Sequence, residues 1–502
     1  MASNLATPGV FIEEKSSFGN SIVSVPTSVP AFVGYTEKAM RGTKSLLNLP
    51  TKINSIGQYV ELFGGAPSTK FEITFNEEGS PLYNLNLIKS TRFLMYDSIR
   101  LYFSNGGSDC YIISVGDYSA SITQNMLIGN DTGGGITSLE KYLEPTLLVV
   151  PDSILLPQNR CMTVQKEMLA HCGGKMKNRF AILDVYGGDT ARTFDNNDLV
   201  TKFREGIGSN NLAWGAAYYP YLNTTIVTPS EIDYRRISNL EVLVEILNAE
   251  VDGNLESGSI SASRAEGIKN EISRILDEDN DEENVASIQS TLTVISNVFN
   301  GIMADITDEL NVLPPSPAMA GSYTMTDNTV NISKSPANIS LGSVVSPAVN
   351  INNDNQEDLN LPLNGKAVNA IRSFTGKGTL VWGARTLEGN SQDYRYISVR
   401  RTMTFIEQSI KSSAEAYVFS PNNSTTWSTL RASVYNFLNN QWVSGVLVGA
   451  SPDEAFDIQI GMGTTMTPND ILDGILKMTV KVAIVRPAEF IVLTFEQKQQ
   501  QS

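Results

Sequence analysis

The chain has 502 residues, of which 41% are hydrophobic and 18% charged, and a formal net charge of −16. A chain of this length predicts about two to four domains with large buried cores, and its acidity argues against a nucleic-acid ligand, because a phosphate backbone rewards clustered Lys and Arg. No apolar run reaches the roughly 18 to 20 residues that span a bilayer, and MASNLATPGVF has neither the basic nor the apolar region of a signal peptide. The expectation is a chain made and folded in a cytoplasm, with no direct membrane insertion.

The first twenty residues hold one short extended candidate, Gly9 to Glu13, between Thr7-Pro8 and a polar spacer. It is too short and isolated to form a core, so it reads as an arm. Ala31–Gly34 reads as a buried strand. Ser55 to Gly64 has a Ser N-cap, apolar residues at helical spacing and a Gly stop, which fits a short helix. Pro81 to Asn105 suggests another helix, with Leu85, Ile88, Met95, Ile99 and Phe103 inward, and Cys110 to Val115 follows as a strand. Further strands are read at Thr146–Val150, Phe180–Val185 and Asn211–Tyr219, with helices at Pro157–Cys172 and around Leu199–Phe203. Strands that alternate with helices predict a mainly parallel sheet wrapped by helices.

Between Glu231 and Leu310 there are 18 Asp and Glu against 5 Lys and Arg, a local balance of −13. Helical periodicity runs through the same stretch (Leu240, Leu243, Val244 and Leu247; Ile288, Leu292, Ile295 and Phe299). It reads as an acidic helical insertion on an exposed side, with the charge as its solvated face. Ser322 to Leu363, rich in Asn, Ser and Pro, reads as a linker. From Leu361 to Glu415 the sign reverses, with 8 basic residues against 4 acidic. Leu380–Trp382 is a strand candidate, Tyr396–Phe419 a long helix with Arg400, Arg401 and Lys411 nearer its surface, and Ser428–Leu438 a second helix. Gly445–Gly449 and Ala455–Ile460 read as a strand pair.

The chain closes on LKMTVKVAIVRPAEFIVLTF. Leu476, Met478, Val480, Val482 and Ile484 alternate with Lys477, Thr479, Lys481 and Ala483, the two-residue period of a half-buried strand. Arg486-Pro487 interrupts the ladder, since proline has no N–H to donate. A second apolar run, Phe490 to Phe495, follows. A terminal run this apolar needs a partner, either a strand of the chain's own sheet or the sheet edge of another subunit.

Several stretches, in order, resemble the contractile tail sheath family of phages and of phage-tail-like injection systems. They are TPGVFIEE, VPTSVPAFVG, SIGQYVELFGG, LYFSNGGSDCYIISV, YLEPTLLVVPD, RFAILDV, AAYYPYL, LPPSPAMAG and VRPAEFIVLTF. The resemblance covers both ends of the chain. It implies a subunit that polymerises as stacked hexameric rings around an inner tube protein, with baseplate and terminal cap proteins as further partners, and that contracts to drive the tube through an envelope. It also implies that N- and C-terminal arms add to a sheet in the C-terminal domain of adjacent subunits. The arm-pairing candidates are then Val10 and Ile12 at one end and Val480, Val482, Phe490, Val492 and Leu493 at the other. Inner-tube contact falls on Arg400, Arg401 and Lys411 if the tube exterior is acidic.

The expected fold is therefore multidomain, α/β and α+β. A linking arm at 1–20 precedes an α/β domain at 21–350 that carries the helical insertion at about 228–310. A compact α+β domain at 351–485 and a C-terminal arm at 486–502 follow. Catalytic motifs are not evident. The single His171 sits at a helix end beside Cys172, no G-x-S-x-G elbow occurs, and Gly376-Lys377-Gly378-Thr379 lacks the first half of a phosphate loop. Cys110, Cys161 and Cys172 form no C-x-x-C pair, so buried thiols are expected, with no metal or cofactor. The competing readings are a static shell or surface-lattice protein and an α/β-fold enzyme, the latter supported only by the parallel sheet.

Overall fold

The computed structural model describes residues 22–76, 81–130, 133–277, 281–490 and 492. It divides into two compact units. The larger runs from Pro26 to Thr404 and resumes at Arg486; the smaller holds Phe405–Val485 and, of the residues before Pro26, the described 22–25.

In the larger unit the continuously apolar runs become strands of one sheet. These are β1 (Pro30–Gly34), β2 (Thr51–Ile53), β3 (Cys110–Ser114), β4 (Leu147–Val149), β5 (Phe180–Asp184), β6 (Gly215–Tyr219), β7 (Ile339–Ser340), β8 (Asn369–Phe374) and β9 (Gly378–Val381). Among the described residues the sheet has nine strands in the order β7-β9-β8-β6-β5-β4-β1-β3-β2. From β8 to β3 every pair is parallel, and β7, β9 and β2 are antiparallel to their neighbours. Both faces are covered, and the two-residue period sorts the side chains between them. Ala31, Val33, Ile113, Leu148, Leu183 and Ala217 enter one core, while Phe32, Ile112, Leu147, Val149, Ile182 and Ala216 enter the other.

The helix over Ser55–Gly64 forms as read. It is α1 (Ile56–Phe63), and the Ser55 side chain caps it by accepting from the Gln58 N–H. The helix read over Pro81–Asn105 begins only at α2 (Met95–Ser104). Its first part is instead the second strand of a hairpin, Phe71–Phe75 against Tyr83–Leu87. Tyr83, Leu85 and Leu87 alternate with exposed Asn84 and Asn86, a period of two that the longer helical spacing hid. The helix read over Pro157–Cys172 is α3 (Gln158–Leu169), continued by a wider turn to Met176.

The acidic stretch forms four helices: α4 (Leu240–Glu256), α5 (Ala262–Ser273), α6 (Glu282–Ile295) and α7 (Asn297–Leu310). Their apolar sides make a core separate from the two sheet cores, and Phe71, Ile73 and Tyr83 of the hairpin complete it.

The linker read from Ser322 is corrected. Ser316–Thr329 is a helix, α8, whose residues from Ser316 to Thr324 are all buried. Its small side chains allow close approach to α2: a Cβ on Gly321 would lie 2.5 Å from the Tyr102 carbonyl oxygen. Small polar residues that suggested a loop are here the packing surface of a buried helix.

The boundary read at residue 351 is also drawn differently. β8 and β9 extend the main sheet, so the compact unit toward the C-terminus starts at Phe405. Helix α9 (Ile397–Ala414) spans that point, and α10 (Ser424–Val443) follows. Phe405 meets Phe437 with ring centroids 5.9 Å apart, and Tyr435 meets Phe456 at 5.4 Å, edge to face. Two strands, β10 (Phe456–Ile460) and β11 (Met478–Val482), complete the unit. No helix among the described residues is long and apolar enough to cross a membrane.

Candidate assembly interface

Among the described residues, the two-stranded ribbon of the smaller unit has an open side. β10 and β11 pair antiparallel from Phe456↔Val482 to Ile460↔Met478. The strand pair expected between Gly445–Gly449 and Ala455–Ile460 is corrected, because both runs lie against the closing strand: Leu447 opposes Ile484, and Val448 N–H donates to the Ala483 carbonyl at 2.8 Å. The short helix Pro452–Ala455 separates the two runs, which both run antiparallel to that strand.

Ala483 N–H donates to the Ala455 carbonyl at 2.9 Å. In an antiparallel ladder successive residues turn their N–H and C=O groups to opposite sides. Thr479, Lys481 and Ala483 therefore face β10, and Met478, Val480 and Val482 turn their main-chain groups outward. Among the described residues no strand pairs with that outer edge. Thr479 and Lys481 are exposed on the ribbon and the three apolar residues half-buried, the alternation read from the sequence. Of the arm-pairing candidates, Val480 and Val482 thus sit in the ribbon itself rather than in a free arm.

Beyond Val485 the chain returns to the larger unit. Glu489 is held there by Arg385, whose Nη2 lies 2.7 Å from its carboxylate. Phe490 is 67% exposed and Val492 87% exposed, large for apolar side chains. The arm read from residue 486 is therefore pinned at Glu489. Val10, Ile12 and Leu493 lie outside the described residues.

The cationic set on α9 is divided. Arg400 and Arg401, read as surface residues, are 5% and 4% exposed. The Arg401 guanidinium donates to both carboxylate oxygens of Asp327, at 3.0 and 2.5 Å, and to the Thr27 carbonyl at 3.0 Å. Arg400 lies 4.3 Å over the Trp214 ring and 4.4 Å over the Tyr394 ring. Helical spacing alone had left these two on the polar side, and neither Trp214, which covers Arg400 with the nearby Tyr394, nor Asp327 is near them in sequence. Lys411 is exposed.

Several titratable groups around the nine-stranded sheet are internal. The parallel strands follow the doubly wound order, whose ligand crevice lies where the order reverses, between β1 and β4. That position is filled by Asp152, which accepts from the N–H groups of Tyr35 and Leu94, each at 2.7 Å. A Cβ on Gly34 would lie 2.5 Å from the same carboxylate. Burial pushes the Asp152 carboxyl up to about 6, against the pull of those two N–H groups. Asp184, at the end of β5, is pushed up to about 7 by burial and is hydrogen-bonded by the hydroxyl and N–H of Ser316 at 2.5 and 2.8 Å. His171 lies 3.2 Å from Arg179 Nη1, and burial together with that cation pulls its pKa down to about 3. Cys110, Cys161 and Cys172 are all buried free thiols.

The family described as the phage tail sheath C-terminal domain matches residues 390–498. The whole chain is similar to the sheath of an extracellular contractile injection system, PVC, in its contracted state. Identity is 25% over 99% of both chains, with a TM-score of 0.59. A chain of the anti-feeding prophage helical sheath in its contracted state matches with 25% identity over 98% of this chain and 99% of that one, at a TM-score of 0.60. The six-fold symmetrised baseplate of the anti-feeding prophage contains a chain that matches with 25% identity over 98% of this chain and 99% of that one, at a TM-score of 0.58. Among curated proteins none matches.

Proposed function

The chain belongs to the contractile tail sheath family, and from that premise we propose that it polymerises by strand donation into a contractile cylinder. As a member of this family it is a structural subunit. Two observations carry this reading. Among the described residues the strand edge at Met478–Val482 is unpaired, and the apolar residues Phe490 and Val492 of the tail lie exposed. When the tail of one copy meets the edge of the next, two different surfaces join, and such a contact builds a helical tube when its rotation does not close. Main-chain hydrogen bonds supply the affinity, and the alternate side chains Val480 and Val482 supply the register.

In this reading the copies stack as hexameric rings around an inner tube protein, with a baseplate at one end and a terminal cap at the other. The N-terminal arm, through Val10 and Ile12, and the far end of the C-terminal arm, through Leu493, contribute the remaining pairing. Of the three cations first assigned to tube contact, only Lys411 is exposed, and it keeps that role. Contraction follows if a short, wide arrangement buries more surface between subunits than a long, narrow one. A few kcal/mol per subunit, summed over many rings, drives the tube without nucleotide hydrolysis. The contracted state of two matching sheaths supports this reading.

Electron microscopy of the full-length protein, alone and co-expressed with its tube partner, tests it. Striated hollow tubes are expected. Flat lattices would favour a static shell, and dispersed particles under all conditions would count against polymerisation.

A further inference from the structure

Arg486–Phe490 belongs to no strand among the described residues, yet one of its side chains is fixed at both oxygens. Glu489 Oε1 accepts from Asn360 Nδ2 at 2.7 Å and Arg385 Nε at 3.0 Å. Its Oε2 accepts from Arg385 Nη2 at 2.7 Å and the Tyr396 hydroxyl at 3.0 Å. A two-pronged guanidinium–carboxylate pair is among the strongest polar contacts a protein makes and sets direction as well as distance.

The partners are themselves immobilised. The Arg385 side chain is 2% exposed, and its Nη1 donates to the Gly389 carbonyl at 3.2 Å. Its backbone N–H donates to Asn369 Oδ1 at 2.7 Å, and its carbonyl accepts from Asn369 Nδ2 at 2.8 Å. Asn369 is the first residue of β8. A continuous series of fixed groups therefore leads from the Glu489 carboxylate into the nine-stranded sheet. Burial alone would raise the Glu489 carboxyl, but the hydrogen bonds from Arg385 and Asn360 outweigh it and hold it below the usual Glu range.

We propose that Glu489 is the anchor of the donated arm, a positioning residue that fixes the root of the arm, residues 486–490, on the larger unit. It also passes any pull on the arm to β8 through Arg385 and Asn369. The inference rests on the strand-donation reading. A tail fixed at its root samples fewer directions, which raises its effective concentration at a neighbour's edge. A tail freed at that root keeps its sequence and loses this advantage.

The test uses the full-length protein and three variants: Glu489→Gln, Tyr396→Phe, and a chain ending at Glu489. The readouts are the lowest protein concentration that gives tubes and, for the full-length chains as monomers, the fluorescence anisotropy of a dye attached at Val492→Cys. Glu489→Gln is expected to raise that concentration about tenfold, the effect of roughly one strong hydrogen bond, and to lower the anisotropy. Tyr396→Phe, which keeps the ion pair, is expected to raise it a few-fold, and it carries the test if the Gln variant does not fold. Native assembly by both point variants overturns the anchor. If the truncated chain then fails to assemble, strand donation stands without it; if the truncated chain assembles normally, both fall.

Discussion

Ending the chain at Glu489 is expected to leave a folded, soluble monomer that forms no tubes at any concentration at which the full-length protein assembles. The removed segment contains Val492 and the apolar run after it, and Phe490, the first residue lost, is already 67% exposed in the single chain. Little of the monomer's core depends on it. What disappears is a strand's worth of main-chain hydrogen bonds to the edge at Met478–Val482. At about 1 kcal/mol net for each of about four bonds, the loss is roughly 4 kcal/mol per joint, close to a thousandfold in the joint's equilibrium constant. Because every subunit lacks the same joint, a polymer amplifies the loss. Sedimentation velocity beside negative-stain microscopy checks both parts. A monomer with native thermal unfolding and no tubes is the expected result, and tubes of ordinary length from the truncated chain would contradict it.

Arg401→Ala is expected to destabilise the larger unit by about 3–5 kcal/mol, as when one partner of a buried ion pair is removed. Arg401 and Asp327 have side chains only 3% and 2% exposed, so the variant leaves a carboxylate buried without its cation. It also removes a cation lying 4.8 Å from the Tyr323 ring centroid. Lys411→Ala, at an exposed site on the same helix, is expected to change stability by no more than about 0.5 kcal/mol. Chemical denaturation of both variants separates the roles. If Arg401→Ala kept native stability but lost tube binding, Arg401 would be a surface contact after all, contrary to its place in the packed interior.

The contrast between Arg401 and Lys411 shows what a sequence carries and what it does not. Strand positions were legible wherever a short apolar run lay between turn signals, as at Ala31–Gly34, Cys110–Ser114 and Phe180–Asp184. The parallel sheet followed from their alternation with helices. Burial of individual cations was not legible, because Trp214 over Arg400, and Asp327 and Thr27 at Arg401, come from across distances in sequence that no local pattern records; Tyr394, six residues before Arg400, is the one local partner. Helix α8 was missed for a different reason. Its second half, from Ser322, opens a run rich in Asn, Ser and Pro that composition reads as a linker, yet Ser322 and Thr324 are buried in the helix. The hairpin strand Tyr83–Leu87 was lost because Leu85, Ile88 and Met95 also fit a helical spacing.

The interface divides along the same line. The two-residue alternation of Met478, Val480 and Val482 was plain in the sequence, and the ribbon keeps it. Which edge of that ribbon stays open could not be read, since it depends on the hydrogen bonds of Ala483 to Ala455 and Val448. Nor was the Glu489 anchor visible. A lone Glu after Arg-Pro-Ala gives no sign that Asn360, Arg385 and Tyr396 converge on it.

Cysteine cross-linking in assembled tubes is the most direct test of the claim that the tail of one copy lies along the strand edge of another. Val480→Cys and Val492→Cys are introduced together. The three native cysteines are buried, and the burial that raises their pKa values keeps them poor competitors for oxidation. Mild oxidation is expected to give a ladder of covalent multimers on a non-reducing gel, collapsing to monomer on reduction. A cross-link found only within single chains, with no multimer from well-formed tubes, would contradict the account.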